Sequence, residues 1–202
     1  MKMKKTLSLI VIVMLSLSIN LQAQEKSEHK ISITGNVGLS LLGSLIDASD
    51  LDAAADYSTK VLPAAQLSAD YFVTNWLSMG VAGSYQFMQI NYTDYGDNNV
   101  DFSTNINRIN VAFRPLFHYV NKGRVDMYSG LRLGLTNWGI NTTETVENYE
   151  ATDYISFNSG TLFAPQLVAF GIRGYFTDFI GANIEFAIGA PHYISGGITL
   201  RL

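Results

Sequence analysis

Residues 108–119 are Arg-Ile-Asn-Val-Ala-Phe-Arg-Pro-Leu-Phe-His-Tyr. Apolar or aromatic side chains occupy nearly every odd position, whereas the even positions include Arg108, Arg114 and His118. A period of two is typical of a β-strand that has one apolar and one polar face. A length of about eleven residues also suits a tilted strand that crosses a bilayer. The stretch therefore predicts a membrane-spanning β-strand.

The same alternation recurs in seven further runs of the chain. These runs cover residues 31–41, 61–73, 77–87, 125–136, 162–176, 180–188 and 193–202. Within 162–176, Pro165 and Gln166 fit the alternation poorly, which predicts a β-bulge or an earlier strand start. Eight is an even number of strands, as closure of a membrane barrel requires. The sequence therefore predicts an all-β fold, an eight-stranded antiparallel up-and-down transmembrane β-barrel.

The connections between these runs alternate between two sizes. The short ones lie at residues 74–75, 121–123 and 177–178, and the long, polar and acidic ones lie at residues 43–59, 93–102 and 141–160. Outer-membrane barrels have short periplasmic turns and longer extracellular loops. The pattern therefore predicts periplasmic termini. The fourth outer connection, at residues 190–192, is short, which predicts a lopsided extracellular rim.

A soluble eight-stranded barrel also has alternating strands, but its apolar face points inward. The charged strand residues of this chain fall on the smaller, polar face, and lysine is nearly absent from the strands of the mature chain. An outward face that is apolar and lacks lysine is expected of a surface that contacts lipid. A lumen enclosed by eight strands is just wide enough for side chains to fill. We therefore expect a packed polar lumen rather than a pore.

Seven charged residues of the polar face are candidates for pairing inside this lumen. They are Asp70, Arg108, Arg114, Asp126, Arg132, Arg173 and Glu185. Arginines in an interior of low dielectric constant require carboxylate partners. We therefore expect a buried ion network that fills the lumen structurally, and a gate or proton path is the functional alternative.

Residues 1–23 have the features of a secretory signal peptide. Three lysines among the first five residues precede an apolar run at residues 7–17, and Ala23 supplies a small residue at a cleavage position. The run is shorter than the roughly 20 residues that a transmembrane helix needs. We therefore expect residues 24–202 to form the mature outer-membrane β-barrel domain.

Charge and cysteine content exclude other classes of protein. The chain has no cysteine, so disulfides cannot stabilise it. Loss of three lysines with the signal peptide leaves 10 basic against 17 acidic residues, a net charge of about −7. Nucleic acid is not an expected partner, because its binding requires the opposite charge.

The last eight residues resemble the carboxy-terminal signal that directs outer-membrane barrels to their assembly machinery. Ser195, Gly197, Leu200 and Leu202 occupy its polar, glycine and two apolar positions, although members of the family usually end in an aromatic residue. Together with the signal peptide and eight strands, this motif makes residues 24–202 resemble small barrels related to outer-membrane proteins A and X. The resemblance implies the outer membrane of a Gram-negative cell as location, and the assembly machinery, lipid and lipopolysaccharide as partners.

The sequence offers little support for catalysis. His29, His118 and His192 lie far apart, and the His-any-Ser motif of lipid A-modifying barrels is absent. His192, beside Pro191, is expected to be a polar turn residue. We therefore expect no enzymatic activity, and no catalytic, cofactor-binding or metal site.

Acidic residues concentrate in the three long connections. They are Asp47, Asp50, Asp52, Asp56, Asp94, Asp97, Asp101, Glu144, Glu147, Glu150 and Asp153. Such carboxylates either share divalent cations with lipopolysaccharide or keep a loop without a core soluble. We expect a structural or surface-interaction role with an extracellular ligand or surface as partner. Two alternatives stay open, a narrow porin-like channel and a lipid A-modifying enzyme.

Overall fold

The computed structural model describes residues 29–40, 56–95, 100–144 and 159–202. The predicted signal peptide and seven of the eleven acidic loop residues lie outside these ranges. In the described ranges, no helix has the length and apolar character needed to cross a membrane.

The described residues form nine strand segments. These are β1 (Ile31–Leu39), β2 (Asp56–Val61), β3 (Ala64–Phe72), β4 (Leu77–Tyr95), β5 (Val100–Lys122), β6 (Val125–Glu144), β7 (Gly160–Tyr175), β8 (Ile180–Gly189) and β9 (Ile194–Arg201). Both β2 and β3 pair with β4, so they are two halves of one barrel strand that is interrupted at Leu62 and Pro63. Each barrel strand pairs with the next, and β1 pairs with β9. The predicted eight-stranded antiparallel up-and-down barrel is confirmed.

The middle of the barrel is apolar outside and polar inside. Outward residues such as Leu67, Val81 and Val111 are exposed, whereas Gln66 and Asn110 at neighbouring positions are buried. Lipid hydrocarbon solvates apolar side chains, and a closed sheet satisfies every backbone hydrogen bond without water. An apolar outer face around a polar interior is therefore the arrangement of a membrane barrel. The chain is an integral β-barrel of the outer-membrane type, and the soluble-barrel alternative is excluded.

The irregularity predicted near Pro165 lies four residues further along β7. The register between β7 and β8 shifts between Val168 and Phe170, and the hydroxyl of Ser129 donates to the carbonyl of Ala169 at 2.7 Å. Pro165 itself lies within the strand and faces outward, one residue beyond the last pair of β7 with β8, which is Gln166 with Gly189. The strand also starts at Gly160, before residue 162, in agreement with the predicted earlier strand start.

Three strands and the segment β2 continue far beyond the apolar band. β4, β5 and β6 contain 19, 23 and 20 residues, whereas β8 and β9 contain 10 and 8. The expectation that the long connections occupy residues 43–59, 93–102 and 141–160 was therefore wrong at their edges, which belong to strands. Residues 56–61, 88–95, 100–107 and 137–144 form what we call the extension. The opposite end, with the chain termini and the short connections, is called the turn end.

The faces of the sheet exchange polarity in the extension. Its inner face is a buried apolar cluster of Met88, Ile90, Tyr92, Phe102 and Ile106, against which Val61, Trp138 and Ile140 pack. Its outer face is polar. This is the arrangement of a sheet in water with its own small core, and it explains why the polar composition of these edges suggested loops. The connection between β8 and β9 is short, so in the described ranges this end of the barrel is lower beside β8 and β9 than at the extension.

Candidate functional site in the barrel lumen

Arg114 lies at the centre of the lumen, fully buried on the inner face of β5. Its Nη2 atom is 2.7 Å from Oε2 of Glu185, and its Nε atom is 3.6 Å from Oδ1 of Asp70. Its Nη1 atom donates to the hydroxyl of Ser68 at 2.7 Å. One guanidinium group therefore joins carboxylates that come from β3 and β8.

Glu185 also binds a second arginine. Its Oε1 atom forms an ion pair with Nη2 of Arg132, and Nη1 of Arg132 donates to the amide oxygen of Gln166. Both Glu185 and Arg132 are at most 1 % exposed. A single buried carboxylate thus compensates part of the charge of two arginines.

Arg173 extends the network towards the turn end. Its Nη2 atom is 2.5 Å from Oδ2 of Asp70, and its Nη1 atom is 3.0 Å from Oδ2 of Asp126. The side chain is fully buried. Asp70 therefore links the two halves of the network, since it contacts both Arg114 and Arg173.

Six of the seven predicted lumen residues lie together in one chain of alternating charge. In spatial order they are Arg132, Glu185, Arg114, Asp70, Arg173 and Asp126. Three arginines face three carboxylates, so this set is neutral. Removing such charges from water is costly, and their mutual attraction and hydrogen bonds offset that cost only while every partner is present.

Arg108 does not join this network, so the expectation for this residue is corrected. Its Nη2 atom donates to the carbonyl of Pro191 and to the hydroxyl of Ser40 at 3.4 Å. Its guanidinium carbon also lies 5.4 Å from the centre of the Trp138 ring. Arg108 sits where the inner face becomes apolar, beyond the reach of the central carboxylates, and it ties β5 to the connection between β8 and β9.

Tyr128 is a central lumen residue that the ion-pair reasoning did not include. Its ring lies under the guanidinium groups of Arg114 and Arg173, at 5.6 and 4.5 Å. Its hydroxyl donates to Oε2 of Glu185 at 3.1 Å. The ring packs against the backbone of Gly171, where a Cβ atom would overlap it. The alternation of the sequence places Tyr128 on the inward face. Nothing in the sequence indicates that its ring lies at the centre of the lumen, between two arginines.

His192 is buried rather than solvated, in contrast to the expected polar turn residue. Its Nε2 atom lies 3.6 Å from Oε1 of Glu185 and 3.4 Å from Nη1 of Arg132. Its carbonyl accepts a hydrogen bond from the amide nitrogen of Gln166 at 2.5 Å. The short connection between β8 and β9 therefore folds into the barrel and caps the network.

Ser78, His118 and Asp126 form a hydrogen-bonded relay near the turn end. The hydroxyl of Ser78 is 2.8 Å from Nε2 of His118, and Nδ1 of His118 is 2.6 Å from Oδ1 of Asp126. These are the atoms that a serine hydrolase triad joins. Ser78 is fully buried, however, and the ring of Phe72 covers His118 at 4.6 Å between centroids. Sequence spacing gave no signal for this relay, because the three residues meet only across neighbouring strands.

Metal binding finds no support in the part of the chain that the structure describes. No group of three or more histidine or acidic side chains there is placed to hold a metal ion. The lumen carboxylates are instead engaged by arginines.

The residues of the predicted assembly signal divide between the two faces of β9. Ser195 is buried in the lumen, where its hydroxyl accepts a hydrogen bond from the amide of Asn36 at 3.4 Å. Gly197 lies against the backbone of Gly35, so close that a Cβ atom has no room. Leu200 and Leu202 are exposed on the outside. Recognition of these residues by assembly machinery stays a prediction.

Comparisons with known proteins return structures only. No family model matches the chain, and no curated protein matches it. Neisserial surface protein A is 12 % identical, with a TM-score of 0.41 over 89 % of this chain and 100 % of that one. The attachment invasion locus protein Ail of Yersinia pestis, in complex with the heparin analogue sucrose octasulfate, is 14 % identical, with a TM-score of 0.37 over 88 % and 96 %. Ail in a phospholipid bilayer nanodisc is 17 % identical, with a TM-score of 0.37 over 87 % and 100 %.

Proposed function

We propose that this eight-stranded transmembrane barrel is an outer-membrane protein with a structural or surface-interaction role and a lumen that does not conduct. The observation that carries the proposal is the neutral chain of six buried charges, which crosses the lumen between Arg132 and Asp126. Because a filled lumen has no room for a solute, the barrel can bind partners only through its outer surface and its rim. The outer face of the extension supplies such a surface.

The remaining expectations fit this role as parts of the proposal. Residues 1–23 are removed on export, and residues 24–202 form the barrel domain with the turn end in the periplasm. The assembly machinery recognises Ser195, Gly197, Leu200 and Leu202. Lipid surrounds the apolar band, and lipopolysaccharide of the outer leaflet is a partner.

The narrow channel is the first alternative, and conductance tests it. Refolded protein in a planar bilayer is expected to give no discrete current steps, because buried side chains occupy the lumen. Glu185→Gln is expected to stay silent as well, since glutamine retains the volume of glutamate. Discrete, reproducible steps in the unmodified protein would overturn the filled-lumen proposal. A large conductance that appears only in Glu185→Gln would show that the ion network is a gate.

A lipid-modifying enzyme is the second alternative, and Ser78 is its best candidate nucleophile. We propose that the relay of Ser78, His118 and Asp126 is structural, because a hydroxyl without solvent access cannot reach an acyl carbonyl. A fluorophosphonate probe is therefore expected to leave the folded protein unlabelled, as measured by intact mass. Labelling that disappears in Ser78→Ala would contradict this and restore the hydrolase alternative.

A further inference from the structure

The outer face of the extension carries carboxamide side chains. In the apolar band, the outer face of the same strands carries apolar side chains instead. Six residues define what we call the amide face: Gln89, Asn91, Asn105, Asn107, Asn137 and Asn141. All six are exposed or half-exposed. Gln89, Asn105 and Asn141 are paired in register across β4, β5 and β6, so they form one continuous rung.

Cross-strand hydrogen bonds orient four of these amides, those of Gln89, Asn91, Asn107 and Asn137. The side-chain nitrogen of Gln89 donates to the hydroxyl of Ser103 at 3.1 Å, and that of Asn137 donates to the hydroxyl of Thr161 at 2.9 Å. A carboxamide has two N–H donors and an acceptor oxygen, so one such bond leaves capacity for a ligand. The face therefore presents donors and acceptors together.

The apolar cluster behind the face makes it preformed. Met88 and Ile90 alternate with Gln89 and Asn91 along β4, and they are buried on the opposite side of the sheet. The rings of Tyr92 and Phe102 stack at 4.5 Å between centroids in the same cluster. A rigid face loses less conformational entropy when it binds a ligand.

The amide face lies just beyond the lipid-facing band. Asn105 and the exposed Ile109 lie on the same outer face of β5, and Asn105 is four residues nearer to the end of the extension. At roughly 3.3 Å per residue this is about 13 Å along a tilted strand, hence roughly 10 Å above Ile109 along the barrel axis. In an outer membrane this is the layer of the lipopolysaccharide saccharide.

The charge of this face indicates whether it would bind the phosphates or the sugar hydroxyls of lipopolysaccharide. Among the described side chains on the outer face of the extension, only Lys60 and Asp101 are charged, and their charges are opposite. Phosphates are bound in proteins by arginine or lysine, which this face does not concentrate. Sugar hydroxyls each donate and accept hydrogen bonds, as neutral carboxamides do.

We propose that the amide face binds the saccharide of outer-leaflet lipopolysaccharide through neutral hydrogen bonds to sugar hydroxyls. The proposal rests on the outer-membrane location proposed above. The rung of Gln89, Asn105 and Asn141 is the centre of the contact, and phosphate recognition plays no part in it.

The test is a triple variant, Gln89→Ala with Asn105→Ala and Asn141→Ala, in the full mature chain. It is refolded into nanodiscs of complete lipopolysaccharide, of lipid A alone, or of phosphatidylglycerol, and the midpoint of the heat-induced gel-mobility shift is measured. The unmodified protein is expected to have its highest midpoint in complete lipopolysaccharide. The triple variant loses that advantage over lipid A. Its affinity for the dephosphorylated oligosaccharide, measured by calorimetry, falls about tenfold or more.

A matched control removes two amides at the opposite end of the barrel, Asn75→Ala with Asn121→Ala. It is expected to keep the advantage in complete lipopolysaccharide. Equal midpoints of the unmodified protein in complete lipopolysaccharide and lipid A would overturn the saccharide proposal. An equal drop of the triple variant in all three lipids would do the same, since it would reveal a purely structural role.

Two further outcomes separate this proposal from its neighbours. A dimer of the unmodified protein that the triple variant abolishes in sedimentation would show that a second copy occupies the face, and would overturn the saccharide contact. Absence of the protein from the outer-membrane fraction of cells would instead overturn the proposed function itself.

Discussion

Replacement of Glu185 by glutamine is expected to lower the free energy of unfolding by roughly 3–5 kcal/mol. The carboxylate compensates Arg114 and Arg132 at once, and both arginines are buried with it. In the variant, Asp70 and Asp126 remain against three arginines, so the lumen carries an uncompensated positive charge. The measurement is denaturant unfolding of the refolded barrel in micelles or bilayers, followed by gel mobility.

Two comparisons give this result its meaning. Asp178→Asn neutralises an exposed carboxylate in a turn and is expected to change stability little. The double variant Glu185→Gln with Arg132→Met removes one charge of each sign, so it is expected to recover much of the lost stability. If the double variant is less stable than Glu185→Gln alone, charge compensation does not hold the lumen together.

Substitution of Gly171 is expected to have the second largest effect. A Cβ atom at this position overlaps the ring of Tyr128, which is itself confined between Arg114 and Arg173. Gly171→Ala is therefore expected to cost about 1–3 kcal/mol of stability, the usual range for overpacking, and Gly171→Val more. The yield of refolded, mobility-shifted barrel and its unfolding midpoint report the effect.

Gly174 supplies a matched control three residues away on the same strand. A Cβ atom there meets no atom within 4 Å. Gly174→Ala is therefore expected to refold like the unmodified protein, or slightly better, because alanine loses less backbone entropy on folding. Equal loss of stability in Gly171→Ala and Gly174→Ala would show that β7 is sensitive to any side chain rather than to contact with Tyr128.

The membrane-spanning part of the fold was predictable because lipid imposes a simple rule on each strand. Every outward position from Ile109 to Tyr119 is apolar or aromatic, so the period of two is nearly clean. The extension was not predicted, because its outward residues are polar and the alternation reverses phase. That reversal occurs at Gln86, Arg108 and Trp138, which are neighbours in register across β4, β5 and β6.

The candidate site was predictable in its composition but not in its connections. Inward phase and charge singled out Arg114 and Glu185, since a buried arginine needs a carboxylate. The partner of each charged residue depends on its position along the barrel axis. The alternation of the sequence gives the face on which a residue lies but not this position. Arg108 shares the phase of Arg114 but sits near the rim, so it binds a backbone carbonyl instead of a carboxylate.

The exchange of polarity between the two faces also determines how deeply the protein is immersed. A vertical displacement by two residues moves a strand by about 6–7 Å. Sinking would carry Asn107 and Asn137 into hydrocarbon, and rising would bring Ile109 and Leu135 into water. Both displacements are unfavourable, so the outward residues of the described strands themselves favour one depth of the barrel in the bilayer.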